Sequence, residues 1–423
     1  MANAAMIEGL ECYLVGGAVR DQLLNLPIGE RDWVVVGATP DDLLKRGFRQ
    51  VGRDFPVFLH PATGEEYALA RTERKHGHGH TGFDVYCDPG VTLQEDLLRR
   101  DLTVNAMAKS ATGDLIDPYG GRSDLSARRL RHVSAAFIED PLRVLRVARF
   151  AARFSALGFE VADETLALMG EISRQGELNY LSPERVWVEL EKALATQAPG
   201  AFLETLRHCG ALAALMPELD ALWGVPQSAR YHPEIDTGVH TLMTLEQAVH
   251  LSNSTAVRFA VLVHDLGKAA TPADELPRHI GHEQRGLPLV RALCERLRVP
   301  NYPRDLALVV CEQHLNCHRA TELRGTTVLK LLRKTGALRQ PERFDDFLLA
   351  CEADARGRLG SESEDYPQAD YLRGALALVQ GISAADFDGQ GVSGKALGDA
   401  IAAEQVRQLE AYRPQRESPR REQ

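Results

Sequence analysis

The sequence predicts an α+β chain: a head built on a small sheet with helices, followed by a mostly α-helical remainder. Three observations carry this expectation. Over the first 140 residues, short β-rich runs alternate with turns marked by Gly and Pro. From Pro141 onward the pattern changes to one helical stretch after another. At 423 residues the chain also exceeds what one ordinary core accommodates, so two to four domains are expected. Their boundaries are placed at 1–140, 141–230, 231–340 and 341–423.

In chain order, the strand candidates are YLV at 13–15, WVVV at 33–36, FPVFLH at 55–60 and EYALA at 66–70. The stretch RTERKHGHGHTG (71–82) reads as a mobile loop. Its alternating His76, His78 and His80 sit among glycines, a pattern that favours solvated side chains over a metal site. Leu142, Leu145, Val147, Ala148 and Phe150 open the helical part, and Ser182 is a cap candidate ahead of Pro183-Glu184-Arg185. PQSARYHPEIDTG (226–238) is the clearest linker, after which histidine density jumps. The chain is helical again from about 341, and its polar end, YRPQRESPRREQ, is expected to fray.

Composition is that of a globular protein, 44% apolar and 26% charged. No run of 18 apolar residues exists, so no membrane association is expected. Residues 1–11 hold two glutamates and no Lys or Arg, which argues against a targeting peptide. Seven cysteines without a CxxC pair fit a reducing, cytoplasmic setting. The net charge of −10 disfavours a polyanionic partner by its global sign. Its distribution qualifies that: from Arg99 to Arg149 ten Lys and Arg stand against six Asp and Glu. Local fields act within a Debye length of about 8 Å, so a basic patch can still bind a polyanion.

The first constellation is Gly16-Gly17 at a strand-to-helix turn, with Arg20 one turn on. Two glycines let backbone N–H groups approach a phosphate, and Arg20 would place a guanidinium on the same group. Glu30-Arg31-Asp32 then leads into WVVV. If a strand begins there, Glu30 and Asp32 share a face, and paired carboxylates suit Mg²⁺ shared with a triphosphate. Arg143, Arg146, Arg149 and Arg153 follow at helical spacing with no Asp or Glu from 141 to 159. An arginine stripe without acidic neighbours suits phosphate or RNA.

LVGGAVRD, ERDWVVVG, RRDLTVNAMA (99–108) and EDPLRVLRVARF (139–150) occur in that order. Together they resemble the class II nucleotidyltransferases of the DNA polymerase β superfamily, which include bacterial poly(A) polymerases and CCA-adding tRNA nucleotidyltransferases. With RYHPEIDTGVHT and VHDLGK, the resemblance extends along nearly the whole chain to the bacterial multifunctional CCA family, in which an HD domain is fused to the polymerase-β-like head. It implies Glu30 and Asp32 as catalytic Mg²⁺ ligands, and Gly17, Arg20, Arg100, Arg146 and Arg149 as contacts to CTP or ATP. Asp140 and Arg143 would together read the Watson–Crick edge of the incoming base. Glu30 stands where Asp is usual; activity is expected to survive the extra methylene. Glu66 matches a third acidic position, although it lies on another strand, which leaves its role open.

The second constellation is His264-Asp265 after the apolar run FAVLV, with His240 earlier and Asp354 later. This order resembles the HD metal-dependent phosphohydrolases. A divalent transition metal, commonly nickel in the family, would activate water against a phosphate ester. His279, His282 and His314 are candidate secondary ligands or substrate contacts. Cys311, His314, Cys317 and His318 match no standard zinc spacing. Related sequences carry an acidic residue after the first of these histidines, where this chain has Leu315.

The expected function is template-independent addition of the tRNA 3′-terminal CCA from CTP and ATP, with pyrophosphate released. The HD domain would add 2′,3′-cyclic phosphodiesterase, 2′-nucleotidase and phosphatase activities. The resemblance implies tRNA and not DNA as the partner, and the chain would be a monomer or homodimer. A poly(A) polymerase, or an HD phosphohydrolase with a nucleotide-binding head, are the alternatives.

Overall fold

A computed structural model describes residues 6–51, 57–75, 83–86, 88–388 and 393–414. His76, His78 and His80 lie outside the described residues, as does the tail from 415. The chain divides by compactness into Met1–Leu215 and Met216–Gln423. The expected α+β class holds.

In the first unit, strands β1 (Glu11–Val15), β2 (Asp32–Val36), β3 (Arg49–Val51), β4 (Val57–Leu59), β5 (Glu66–Leu69), β8 (Ala108–Lys109) and β9 (Leu115–Ile116) form one sheet. Their order is β3-β4-β5-β2-β1-β8-β9. The β2–β5 pair is parallel and the others are antiparallel. Successive side chains of β2 alternate between faces, and both faces are covered. Val34 joins a core with Val15, Leu97 and Ala106, whereas Val35 joins Phe48, Phe58 and Leu69. Burial on both sides explains why WVVV is apolar throughout. A separate hairpin pairs β6 (Thr72–Lys75) with β7 (Phe83–Tyr86), so the start of the segment expected as a loop is strand instead.

The helices of this unit are α1 (Gly17–Leu23), α2 (Pro40–Lys45), α3 (Leu93–Leu98), α4 (Gly121–Ala127), α5 (Leu142–Phe154), α6 (Asp163–Arg174), α7 (Pro183–Leu194), α8 (Pro199–His208) and α9 (Ala211–Leu215). Alpha-helix α5 begins just past Pro141, and ten of its thirteen residues are buried, against α7 and α8. Ser182 occupies the N-cap position of α7, but its side chain makes no capping bond.

The second unit is helical: α10 (Pro217–Asp220), α11 (Thr237–Leu251), α12 (Thr255–Val263), α13 (His282–Arg296), α14 (Asn301–His318), α15 (Gly325–Lys334), α16 (Pro341–Arg356), α17 (Pro367–Gln380) and α18 (Gly394–Tyr412). Helix α12 is buried almost all round, which its unbroken apolar run FAVLV requires. It packs on α11, α14 and α16 and so sets His264 at its C-terminal end among residues of those helices. Among the described residues no helix is long and apolar enough to cross a membrane.

Candidate functional site

The glycine turn joins β1 to α1. Gly16 has φ +67°, a conformation that favours glycine, and a Cβ there would stand 2.8 Å from the mobile end of Arg100 at Nη1. Arg20 is buried, donates from Nε to Asp21 at 2.8 Å and bonds Asn105 Oδ1 through Nη1. Its guanidinium lies 5.1 and 5.0 Å from the Phe150 and Phe154 ring centroids. It is therefore a fixed group at the edge of the turn.

Asp32 opens β2. Its partners across the sheet are Val15 on β1 and Glu66 on β5. Residues in register on neighbouring strands place their side chains on the same face, so the parallel pairing brings Glu66, whose role was left open, beside Asp32. Glu30 lies in the loop two residues ahead of the strand. Desolvation and the Glu30 charge raise the Asp32 carboxyl above its ordinary value, with Arg100 opposing. Glu66 is raised by desolvation and by the charges of Asp32 and Glu30. The charges of these three carboxyls act on one another, and carboxylate oxygens are the donors that a hard divalent cation such as Mg²⁺ takes.

Asp32 faces a cleft of about 580 Å³ whose lining includes nine arginines and three aspartates. Gly17, Arg20, Arg100, Asp140, Arg143, Arg146 and Arg149 all line it. The stripe on α5 does have acidic partners, contrary to its reading from local sequence; they arrive from distant segments. Arg146 grips Asp101 Oδ2 through Nε (2.8 Å) and Nη2 (2.7 Å). Arg149 donates to Glu189 on α7 at 2.6 Å, and Arg153 to Asp21 at 2.8 Å. Asp96 takes Arg99 and Arg100 at 3.0 and 3.3 Å. These carboxylates are buried, so they hold the guanidinium planes while leaving a surplus of positive charge over the cleft.

Asp140 and Arg143 also converge on the cleft from different anchors. Arg143 donates to the carbonyls of Ala136 and Arg99, each at 2.6 Å. Asp140 caps Leu142 N at 3.1 Å and accepts from Arg185 Nη2 at 3.0 Å. Asp21, Asp96, Asp101, Arg185 and Glu189 were not singled out from the sequence. For Asp21, Asp101, Arg185 and Glu189 the signal is three-dimensional, since their partners lie 40 to 132 residues away, whereas Asp96 pairs with Arg99 and Arg100 three and four residues on, a spacing visible in the sequence.

In the second unit His240, His264, Asp265 and Asp354 come together, all buried. Asp354 Oδ1 lies 3.1 Å from His240 Nε2 and 3.5 Å from His264 Nε2. Asp265 Oδ2 lies 3.2 Å from His264 Nε2 and 3.9 Å from His240 Nε2. His282 and His314 join on the other oxygen of Asp265, at 3.2 and 3.9 Å. His279 turns away, to Thr271 and the Pro226 carbonyl. His318 Nε2 meets Asp354 Oδ2 at 2.7 Å, and its Nδ1 faces the Tyr366 hydroxyl at 2.9 Å.

Backbone carbonyls fix the ring orientation. His264 Nδ1 faces Val261 O, His282 Nδ1 faces His279 O, and His314 Nδ1 faces Val310 O, at 2.7, 2.8 and 3.0 Å. A carbonyl only accepts, so each Nδ1 carries the hydrogen and each Nε2 points into the cluster. The turn after the pair, Leu266–Ala270, lies so close to α13 that a Cβ on Gly267 would fall 1.9 Å from His282 O.

Burial would raise the Asp265 carboxyl, but the charges of His264 and Lys268 hold it well below its ordinary range. Burial would lower His264, but Asp265 and Asp354 push it up to about 10. His264 Nε2 and both oxygens of Asp265 are buried and make no well-aligned hydrogen bond, although Lys268 and the imidazoles stand close to them as ion-pair partners. An anionic pocket of imidazole nitrogens and carboxylates fits a divalent transition metal.

Three family models match: a poly(A) polymerase head domain over residues 12–131, a probable RNA and SrmB-binding site of polymerase A over 158–222, and an HD domain over 237–354. The chain is 62% identical over 400 residues to a multifunctional CCA protein of Thioalkalivibrio sulfidiphilus, covering 95% of this chain and 98% of that one. It is 58% identical over 413 residues to one from Alkalilimnicola ehrlichii, covering 98% and 100%. Among solved structures, the fold is similar to a CCA-adding enzyme in an apo form (TM-score 0.64, 18% identity, 96% and 90% covered). It is also similar to the Thermotoga maritima CCA-adding enzyme complexed with tRNA (TM-score 0.62, 19% identity, 97% and 90% covered).

Proposed function

The chain belongs to the multifunctional CCA protein family, and from that premise we propose that it builds and repairs the 3′-terminal CCA of tRNA from CTP and ATP, releasing pyrophosphate. The observation that carries this is the single cleft in which Asp32 meets nine arginines. On this reading residues 1–140 are the catalytic head, 141–230 a neck binding RNA and nucleotide, 231–340 the HD domain and 341–423 a helical end, in a cytoplasmic enzyme.

Arg20, Arg100, Arg146 and Arg149 bind the triphosphate, while the backbone at Gly17 comes close to it. Their buried carboxylate partners keep them in place before substrate arrives, so little reorganisation accompanies the reaction. Asp140 and Arg143 select the base: the carboxylate accepts from its amino group, and the guanidinium donates to ring nitrogen and carbonyl. Glu30 and Asp32, with Glu66 beside them, would hold Mg²⁺, which lowers the pKa of the tRNA 3′-hydroxyl and neutralises the leaving pyrophosphate. The hydroxyl then attacks the α-phosphate in line.

For the second unit we propose phosphohydrolysis of 2′,3′-cyclic phosphates, 2′-nucleotides and other phosphate esters. His240, His264, Asp265 and Asp354 would hold a divalent metal, with nickel the expected ion, which supplies an activated water. Lys268, 2.5 Å from Asp265 Oδ2 and bonded to Gln227 Oε1 at 2.6 Å, keeps that carboxylate ionised.

A tRNA lacking its CCA, supplied with labelled CTP and ATP, tests the reading. Incorporation of two C and one A supports it; long A-tails, the outcome for a poly(A) polymerase, or absence of C incorporation overturns it. Absence of incorporation with retained phosphatase activity would leave an HD hydrolase with a nucleotide-binding head.

A further inference from the structure

The stretch 226–238, read from sequence as a linker, contributes a buried side chain to the histidine centre. Glu234 is only 2% exposed at its side chain, and its Oε1 lies 2.9 Å from His240 Nδ1. The same oxygen lies 3.0 Å from His232 Nδ1, and Oε2 accepts from Leu359 N at 3.3 Å. His240 Nδ1 also faces the Gly357 carbonyl at 3.1 Å. Both neighbours of this nitrogen are acceptors, so Nδ1 carries a hydrogen, while Nε2 points at Asp354 Oδ1 and Asp265 Oδ2, the carboxylates with which it would share a cation.

We propose that Glu234 is a positioning residue for the cation of this centre, fixing the tautomer and the angle of His240. A carboxylate on the far nitrogen of a ligating imidazole is the general arrangement by which a metal-binding histidine is fixed in tautomer and in angle. Of the three other histidines, His264 and His314 rest on backbone carbonyls, and His282 has besides its carbonyl only Glu283 Oε2 at 3.8 Å, so His240 has the nearest carboxylate behind its Nδ1 among these four. Backbone contacts support the same picture: Asp236 caps α11 by accepting from Val239 N at 2.9 Å, so the stretch is tied to the helix that carries His240.

The inference rests on reading the centre as a divalent-cation site, and its test separates the two. The full chain is stripped with chelator and titrated calorimetrically with Ni²⁺, as wild type, as Glu234→Gln and as Glu234→Asp. Co²⁺ loading gives the ligand-field spectrum of each. If the wild type binds no Ni²⁺ or Co²⁺, the cation-site reading fails, and this inference with it.

If the wild type binds, Glu234→Gln should weaken Ni²⁺ by about 10- to 100-fold at unchanged stoichiometry and shift the Co²⁺ bands. Glu234→Asp, which keeps the charge on a shorter arm, should lose less. CTP incorporation into tRNA should be unchanged in both. Ni²⁺ affinity within twofold of wild type overturns the proposal, including the case where only the metal-free melting temperature falls. Loss of one whole equivalent of cation with the remainder unchanged also overturns it, because Glu234 would then be a ligand of a separate ion with His232. Should Glu234→Gln fail to fold, the same limits apply to Glu234→Asp alone.

Discussion

Asp32 and Glu66 are register partners on the parallel strands β2 and β5, and each carboxyl is raised above its ordinary value, in Glu66 partly by the charge of Asp32. Raised carboxyl values mean the folded protein holds these protons more tightly than the unfolded chain. The pair therefore destabilises the metal-free protein increasingly as pH rises through those values, and the penalty is relieved as pH falls. Replacing Glu66 with Gln should raise the metal-free melting temperature at pH 7 and narrow the difference at pH 4. It should also lower kcat for CTP incorporation by about 10- to 100-fold, the usual effect of disturbing a group next to metal ligands. A melting temperature that drops at pH 7 would refute the repulsion.

The Asp101–Arg146 pair makes the opposite prediction. Burial would raise the Asp101 carboxyl, but Arg146 and the Asn105 hydrogen bond hold it well below its ordinary value. A depressed value means the pair stabilises above the unfolded pKa of about 3.9 and that this contribution is lost as pH falls below it. Breaking a buried pair costs about 3–5 kcal/mol. Arg146 is 37% exposed, so Asp101→Asn should cost nearer about 2–3 kcal/mol after solvent screening. Denaturant unfolding at pH 7 and pH 3 measures this, and KM for CTP should rise as Arg146 loses its anchor.

The two chemistries should separate by mutation. Asp32→Ala should abolish nucleotide addition and leave phosphatase activity, whereas Asp265→Ala should do the reverse. Addition unchanged in Asp32→Ala would remove the metal role from the head carboxylates.

Gly267 lies where the turn after Asp265 meets the backbone of α13, and an added Cβ would fall 1.9 Å from His282 O and 2.5 Å from Gly286 N. Both are backbone atoms, so no side chain can swing away. Gly267→Ala should displace His282 and lower stability by about 1–3 kcal/mol, the scale of overpacking in a close-packed interior. Thermal unfolding with and without Ni²⁺ measures the change. An unaltered transition would show that the two segments do not approach as closely as described.

Chelation should lower the melting temperature of the second unit. A cation at 100 times its Kd stabilises by about 2.7 kcal/mol, and about 2–4 °C per kcal/mol applies at this unit's size. The shift should vanish in Asp265→Ala. A persistent shift would locate the responsible ion elsewhere.

Much of this was legible in the sequence because it is local. The β-rich runs at 13–15 and 33–36 lie in strands of the sheet, as does 66–70 up to Leu69, and the change to helices after Pro141 is real. Strands of two or three residues, such as β3, β8 and β9, left no signal, since so short a run has no measurable periodicity. Thr72–Lys75 was hidden beside a Gly- and His-rich stretch and owes its strand conformation to pairing with β7.

The charged groups show the division more sharply. From residues alone, Asp32, the arginines of α5 and the His-Asp pair could be singled out, because their types and spacings are unusual in one dimension. Whether an arginine is free or gripped could not be, because Asp101, Glu189 and Asp21 reach α5 from 45, 40 and 132 positions away. The apparently unpaired stripe is in fact a set of braced guanidinium groups. Likewise, the sequence determined that His240, His264, Asp265 and Asp354 are candidates for one centre. Only the packing of α11, α12, α14 and α16 decided that Nε2 of each ring points inward, that His282 and His314 join them, and that Glu234 from a supposed linker stands behind His240. The physical reason is the same in both units: spacing along a chain fixes which side chains share one helix or strand face, whereas charge pairing depends on distance through space, which the fold alone sets.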